Sequence, residues 1–408
     1  MFRSTPAGCR TWLVAAAAAG GCLALACAVV APRSAAGERA DQPATAGRAP
    51  PAWVRLTVRG DEGRRLIGGA VVTEAADGGL LVELPEQRYE VVQPESILSR
   101  EDLPAPPAES ARDLGLRVLA ELPPGFELHV TRHYVVCFDT SRDYARWCAA
   151  LFERLHEAFL NTWRRAGLEI AAPDRPLVVV IFAERSRYEA MATQEVGPAA
   201  PGIVGYYSLV TNRVTTFDLT GAAGLRGATR PGRPPGPEIL ARPEAAGLVS
   251  TVVHEATHQL AFNAGLHRRL APIPLWVSEG IATYFETPDL ESSRGWRGLG
   301  SVNRNRLERF RAGYRPGDLE PLLRGDEPFR RAEQAIDAYA TAWALTSFLL
   351  ETRKPQFVNY LRVLAAKPPL ANDSPALRLR EFSDAFGTPA EVEEALLRHV
   401  ARLPATVP

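Results

Sequence analysis

Thr251-Val252-Val253-His254-Glu255-Ala256-Thr257-His258-Gln259-Leu260-Ala261 is the stretch whose reading decides the rest of the chain. Its apolar members, together with Val249, recur at helical spacing, which predicts a buried helix. On a helix, positions four apart stand one above the other, about 6 Å along the axis. His254 and His258 therefore converge on one point from a single face. Glu255 is rotated away from that point but reaches a water held there. Two imidazoles and a carboxylate in the pattern H-E-x-x-H suit a zinc ion and a water that it activates.

A catalytic zinc usually has three protein ligands and one open position. The next candidate donors lie in Trp276-Val277-Ser278-Glu279-Gly280-Ile281-Ala282-Thr283-Tyr284-Phe285-Glu286. Asn263 and Gly265 are stop signals for the first helix, and Pro272 and Pro274 mark the approach to a second. A helix–loop–helix of this size returns Glu279 towards the histidines. Glu286, two turns further on, is the fallback ligand.

These two blocks resemble the gluzincin metallopeptidases, in which H-E-x-x-H is followed by a helix carrying W-x-x-E-G-x-A-x-Y. Trp276, Glu279, Gly280, Ala282 and Tyr284 match that second block. The resemblance implies Zn2+ held by His254, His258 and Glu279, Glu255 as the catalytic carboxylate, and a peptide or protein substrate. Gluzincins often place a tyrosine on a downstream helix to stabilise the oxyanion; Tyr339 is the first candidate here and Tyr284 the second. They also pair an extended substrate with an edge strand near the zinc, the β-augmentation mode. Gly205 to Ser208 and Arg213 to Phe217, flanking Thr211-Asn212, form the hairpin proposed for that role. The twenty residues from Gln259 to Ser278 exceed the usual spacing of the aminopeptidase branch, whose G-x-M-E-N motif is not evident. The closer likeness is to the peptidase MA-like, or DUF1570, group of exported bacterial proteins. The metzincin pattern fails, because it needs a glycine and a third histidine where this chain has Ala261 and Ala264. The alternative to hydrolysis is a zinc-binding pseudoenzyme, or a protein that binds peptide or cell-envelope material without cutting it.

The chain has 408 residues, 46% hydrophobic and 23% charged, with a formal net charge of zero, enough for two or more globular domains. That balance gives no reason to invoke nucleic acid or an anionic membrane surface as a partner. Residues 1–36 read as targeting sequence: Arg3 and Arg10 precede an apolar run from Trp12 to Val30, followed by small residues. The expected location is outside the cytoplasm, with the segment cleaved, lipidated at Cys22 or Cys27, or kept as an anchor. Residues 37–52 are a spacer. Residues 53–100 carry short apolar runs broken by Gly60, Gly68-Gly69 and Asp77-Gly78-Gly79, which predicts a small β-barrel-like module of SH3-like size.

A proline-rich linker is expected over 101–110, and the zinc domain over 111–408. The overall expectation is α+β, with a short sheet and a mainly helical C-terminal half. Leu128 to Phe138 reads as one strand, Ser141 to Ala166 as a helix, and Leu177 to Phe182 as a buried strand. The interval 221–243, rich in glycine, proline and arginine, reads as a flexible insertion before the zinc helix. Ala332 to Thr352 and Asp384 to Leu403 read as amphipathic helices. Cys137 and Cys148 are read as two buried thiols, or as a disulfide if the chain is exported. His129, His133, His156, His267 and His399 have no partner at ligand spacing.

Overall fold

A computed structural model describes residues 52–60, 63–197, 202–221, 240, 245–287 and 300–404. The leader and spacer readings over 1–51 lie outside the described residues, as does most of the expected insertion, 222–239 and 241–243. Among the described residues, no helix is long and apolar enough to cross a membrane.

The chain is α+β. Strands β1 (Trp53–Gly60), β2 (Gly63–Glu74), β3 (Leu80–Glu83), β4 (Tyr89–Val92) and β5 (Ile97–Leu103) form one antiparallel sheet in the order β4-β3-β2-β1-β5. Alternation along β1 buries Val54, Leu56 and Val58, which join Ile67, Leu80 and Val82 in a small core of their own. The sheet is open, with β4 and β5 as its edges, so the barrel expected from strand spacing is not closed. Its fifth strand also carries into the interval expected to be linker. Ser99 to Asp102 is exposed and charged, as suits a sheet edge, and so lacks the apolar signal of a strand.

Helix α1 (Ala111–Glu121) leads into a second sheet of β6 (Glu127–Val130), β7 (Tyr134–Phe138), β8 (Leu177–Phe182), β9 (Gly205–Tyr207) and β10 (Arg213–Phe217), ordered β6-β7-β8-β10-β9. Parallel pairing of β7 with β8 and of β8 with β10 forms its centre, and these three strands are buried along their whole length. The single strand expected over 128–138 is a hairpin. Its turn is fixed from outside, because the Glu153 carboxylate accepts hydrogen bonds from the Thr131 hydroxyl at 2.7 Å and the His133 amide at 2.8 Å. Glu153 sits on α2 (Arg142–Arg165), whose Ser141 side chain caps the first turn. Helix α3 (Arg185–Val196) follows β8. Cys137 and Cys148 are buried free thiols, and burial pushes the Cys137 pKa up to about 12.

The remainder is helical: α4 (Ala246–Asn263), α5 (Leu275–Phe285), α6 (Arg304–Gly313), α7 (Leu319–Arg324), α8 (Glu327–Arg330), α9 (Ala332–Thr352), α10 (Lys354–Ala366), α11 (Pro375–Phe386) and α12 (Pro389–Arg402). The last predicted helix begins later than expected. Gly387, at φ 90°, ends α11, and Thr388 opens α12 with a capping box to Glu391. Helix α4 lies against the second sheet and α2 on one side and against α5 on the other. Its two histidines therefore stand where the sheet layer meets the helical half.

Candidate metal centre

Helix α4 is buried from Thr251 to Phe262, polar side chains included. Each then needs an internal partner. Thr257 donates to the Val253 carbonyl at 2.8 Å, and the Gln259 amide donates to the carbonyls of Val178 and Asn212, both at 2.9 Å. Thr251 donates to the Gly247 carbonyl at 3.1 Å. The other buried polar residues of the helix are His254, Glu255 and His258, whose partners are one another, Glu279 on α5, Glu286 just beyond it and Tyr207 on β9.

Glu279 comes to the histidines because α5 runs back along α4. Its Oε2 lies 3.0 Å from His254 Nε2 and 3.3 Å from His258 Nε2, while the two Nε2 atoms are 3.1 Å apart. A tetrahedral zinc with bonds of about 2.0–2.1 Å would hold its donors about 3.3 Å apart. The observed triangle has that size. Glu279 Oε1 is buried with no hydrogen-bond partner among the described residues, an acceptor that a cation would satisfy. His254, His258 and Glu279 are the group among the described residues able to hold a metal ion.

Residues 248–371 match a family described as a protein of unknown function, DUF1570. No curated protein matches the chain. The DUF1570 match begins in the first turns of α4 and ends before α11, so it spans the helices that carry His254, His258 and Glu279, together with α6 and Tyr339. It leaves out both sheets, including the strand against Glu255.

That strand is β9. The Tyr207 backbone N–H donates to Glu255 Oε2 at 2.9 Å. Burial raises the Glu255 pKa to about 8, while His254 works in the opposite direction. The hairpin expected near the centre is therefore present at the sheet edge, turning through Asn212 at φ 59°, a left-handed conformation that asparagine tolerates.

Glu286, the fallback ligand, takes a different place. Its Oε2 approaches His254 Nδ1 at 3.2 Å, the ring nitrogen opposite the ligand triangle. Asn303 Nδ2 donates to Glu286 Oε1 at 2.8 Å, and Arg306 Nε donates to the same oxygen at 2.9 Å. Burial alone would raise the Glu286 pKa, but Arg306 and His254 hold it down at about 2. A charged carboxylate thus fixes the orientation of His254.

Tyr339 stands on α9 with its ring 6.3 Å from that of His254, between the Phe329 ring at 5.2 Å and the Arg306 guanidinium at 5.5 Å. Tyr284 is placed elsewhere: its pKa is raised by burial and by Glu351, three turns of α9 beyond Tyr339 and about 18 Å along the axis. Gly280 explains itself by contact. A Cβ there would come within 2.1 Å of Thr346 Oγ1 and 2.7 Å of the Ala342 carbonyl, so only glycine lets α5 lie this close to α9.

The other histidines stay outside the centre. His133 pairs with Glu153 at 2.6 Å and stacks on His156 at 3.9 Å. His399 lies 3.5 Å from Glu351. His267 is buried against Phe262, and burial lowers its pKa to about 3.

Sequence reasoning gave no sign of a polar junction at the far end of α4. Asn212 Nδ2 donates to Gln87 Oε1 at 2.8 Å, and Asn263 Nδ2 to Asn212 Oδ1 at 2.8 Å. Arg269 donates to the carbonyls of Leu209, Val210 and Gln87 at 2.8–3.1 Å and lies 3.6 Å over the Tyr89 ring. The first sheet is thereby fastened to the hairpin that carries Tyr207. Two of the junction's members, Gln87 at φ 69° and Asn212 at φ 59°, are non-glycine residues in the left-handed region.

Proposed function

We propose that this chain is a zinc-dependent hydrolase of peptide bonds, with His254, His258 and Glu279 as ligands and Glu255 as the general base. The observation that carries the proposal is the ligand triangle, of tetrahedral size, with the buried Glu255 carboxylate beside it. When bound, zinc supplies Lewis acidity to the scissile carbonyl and to the attacking water. Tyr207 N–H holds one oxygen of Glu255, which leaves the other to take the proton as water attacks. Glu255 then returns that proton to the leaving amine nitrogen. Burial raises the Glu255 pKa in the metal-free chain, and a cation held beside it would lower that value and leave the carboxylate free to accept a proton. Tyr339, beside His254, is the side chain proposed to donate to the developing oxyanion, a contribution worth about 3–4 kcal/mol at comparable sites.

The test is to measure metal content and peptide cleavage together, in the wild type and in Glu255→Gln. About one zinc per chain in both proteins, with cleavage confined to the wild type, is the expected result. Zinc in both without cleavage of any peptide in a broad library leaves a metal-binding protein that does not hydrolyse. Absence of zinc from both after supplying it removes the metal-centre reading itself.

A further inference from the structure

A cavity of about 200 Å³ is lined by residues of the α4–α5 connection, the β9–β10 turn, α8 and the segment before α11. Two of its wall residues neighbour the metal centre along the chain, and a third lies one contact further out. Phe262 lies one turn, about 6 Å, beyond His258 on α4. Ser278 precedes Glu279, and Arg330 follows Phe329, whose ring packs on Tyr339. Phe262 also stacks on Tyr207 at 5.9 Å, the residue whose N–H holds Glu255. The cavity therefore adjoins the Tyr207 side of the centre, towards the C-terminal end of α4.

Its size and lining narrow what it accepts. Sites for drug-sized ligands begin near 300 Å³, so this space suits a single side chain. Leu209, Phe262, Leu270 and Ile273 give it apolar walls. One wall is charged. Asp326 is already engaged by Arg378 through Nη1 at 2.7 Å and Nη2 at 3.3 Å, and by the Leu275 amide at 3.1 Å. Arg330 approaches Asp326 only to 3.8 Å, and its side chain is 45% exposed. Two guanidinium groups thus share one carboxylate, and Arg330 is the more exposed of them.

We propose that this cavity is a subsite for an apolar residue accompanied by a carboxylate, with the side chain among Leu209, Phe262 and Ile273 and the anion on Arg330. The carboxylate comes either from the free C-terminus of a peptide or from an adjoining acidic side chain. Naming a peptide as the occupant rests on the hydrolase reading.

The experiment measures binding to the full-length, zinc-loaded Glu255→Gln chain, so that turnover does not interfere. Three fluorescent peptides share an apolar leucine: one ends in a free carboxylate, one is amidated, and one is amidated with a glutamate beside the leucine. At least one carboxylate-bearing peptide is expected to bind roughly tenfold tighter than the neutral amide, as a charge-assisted contact requires. Which of the two does so identifies the source of the anion. Arg330→Gln should erase the difference, and Leu209→Trp, which fills the cavity, should weaken all three while zinc content stays unchanged. Equal binding of all three peptides, or unaltered binding in Leu209→Trp, overturns the subsite. Selective binding by a wild type that cleaves nothing would instead refute hydrolysis and leave the subsite standing.

Discussion

Glu286 Oε2 lies 3.2 Å from Nδ1 of His254, on the opposite side of the imidazole from the nitrogen that faces Glu279 and His258. The contact sets the ring's tautomer and angle before any ion arrives, and Arg306 keeps Glu286 charged. Glu286→Gln should therefore weaken zinc binding by about 10–100-fold, the usual penalty for losing such a partner. Competition against a chelator of known affinity measures this directly. An unchanged affinity would mean that Glu286 serves only to bind Asn303 and Arg306.

Metal affinity should rise with pH. In the metal-free chain burial lowers the His254 pKa, but hydrogen bonds to Glu279 and Glu286 outweigh it and raise the value to about 10. Zinc needs a neutral imidazole, so binding below that pH displaces a proton. The zinc association constant should climb about tenfold per pH unit between about pH 7 and 9. The metal-free fold carries the matching signature. The stabilisation from protonated His254 is complete below its ordinary value of 6.5 and fades as pH rises through about 10. Thermal melts of metal-free and zinc-loaded protein should thus diverge as the solution becomes alkaline. A pH-independent zinc affinity would place no proton on His254.

The two helices that carry His254, His258 and Glu279 were legible because polar residues at fixed spacing inside an apolar run are buried with it and must be satisfied there, by one another or by an ion. Val249 and Val252 specified the buried face, and Asn263 and Gly265 its end. The role of Glu286 was not legible, since spacing along α5 brings a carboxylate near His254 without saying which ring nitrogen it meets. That depends on α6, where Asn303 and Arg306 pull Glu286 aside. The hairpin at 127–138 was missed for a similar reason. Thr131-Arg132-His133 contains no glycine, proline or asparagine, and its turn is held by Glu153 from a distant helix. In the first sheet, apolar runs located four strands, but neither the charged fifth strand nor the open edges follow from them.

Gly280→Ala should destabilise the protein by about 1–3 kcal/mol, the range for overpacking a close-packed contact. The added methyl meets Thr346 Oγ1 at 2.1 Å and the Ala342 carbonyl at 2.7 Å. Adding Thr346→Ala removes the first clash but not the second, which is backbone. Urea unfolding of the single and double variants should show partial rescue. Full rescue would mean that α9 shifts freely, and no destabilisation would mean that α5 and α9 are not held at this distance.

Arg269→Ala should loosen two distant parts of the chain together. Arg269 is 5% exposed, and its guanidinium joins the carbonyls of Gln87, Leu209 and Val210 and covers Tyr89, so it ties the first sheet to the β9–β10 hairpin. Removing it strands buried carbonyls and should destabilise the fold by about 2–4 kcal/mol. Hydrogen exchange locates the effect. Amide protection should fall both in β4 and at Tyr207, whose N–H bonds Glu255. If Tyr207 keeps its protection while β4 loses it, the first sheet is an appendage to the metal centre. If both fall, the sheet is part of what holds Glu255, the proposed general base, in place, and Gln87→Ala should reproduce the loss at Tyr207 in milder form by removing the side-chain hydrogen bonds to Asn212 and to the Pro176 carbonyl.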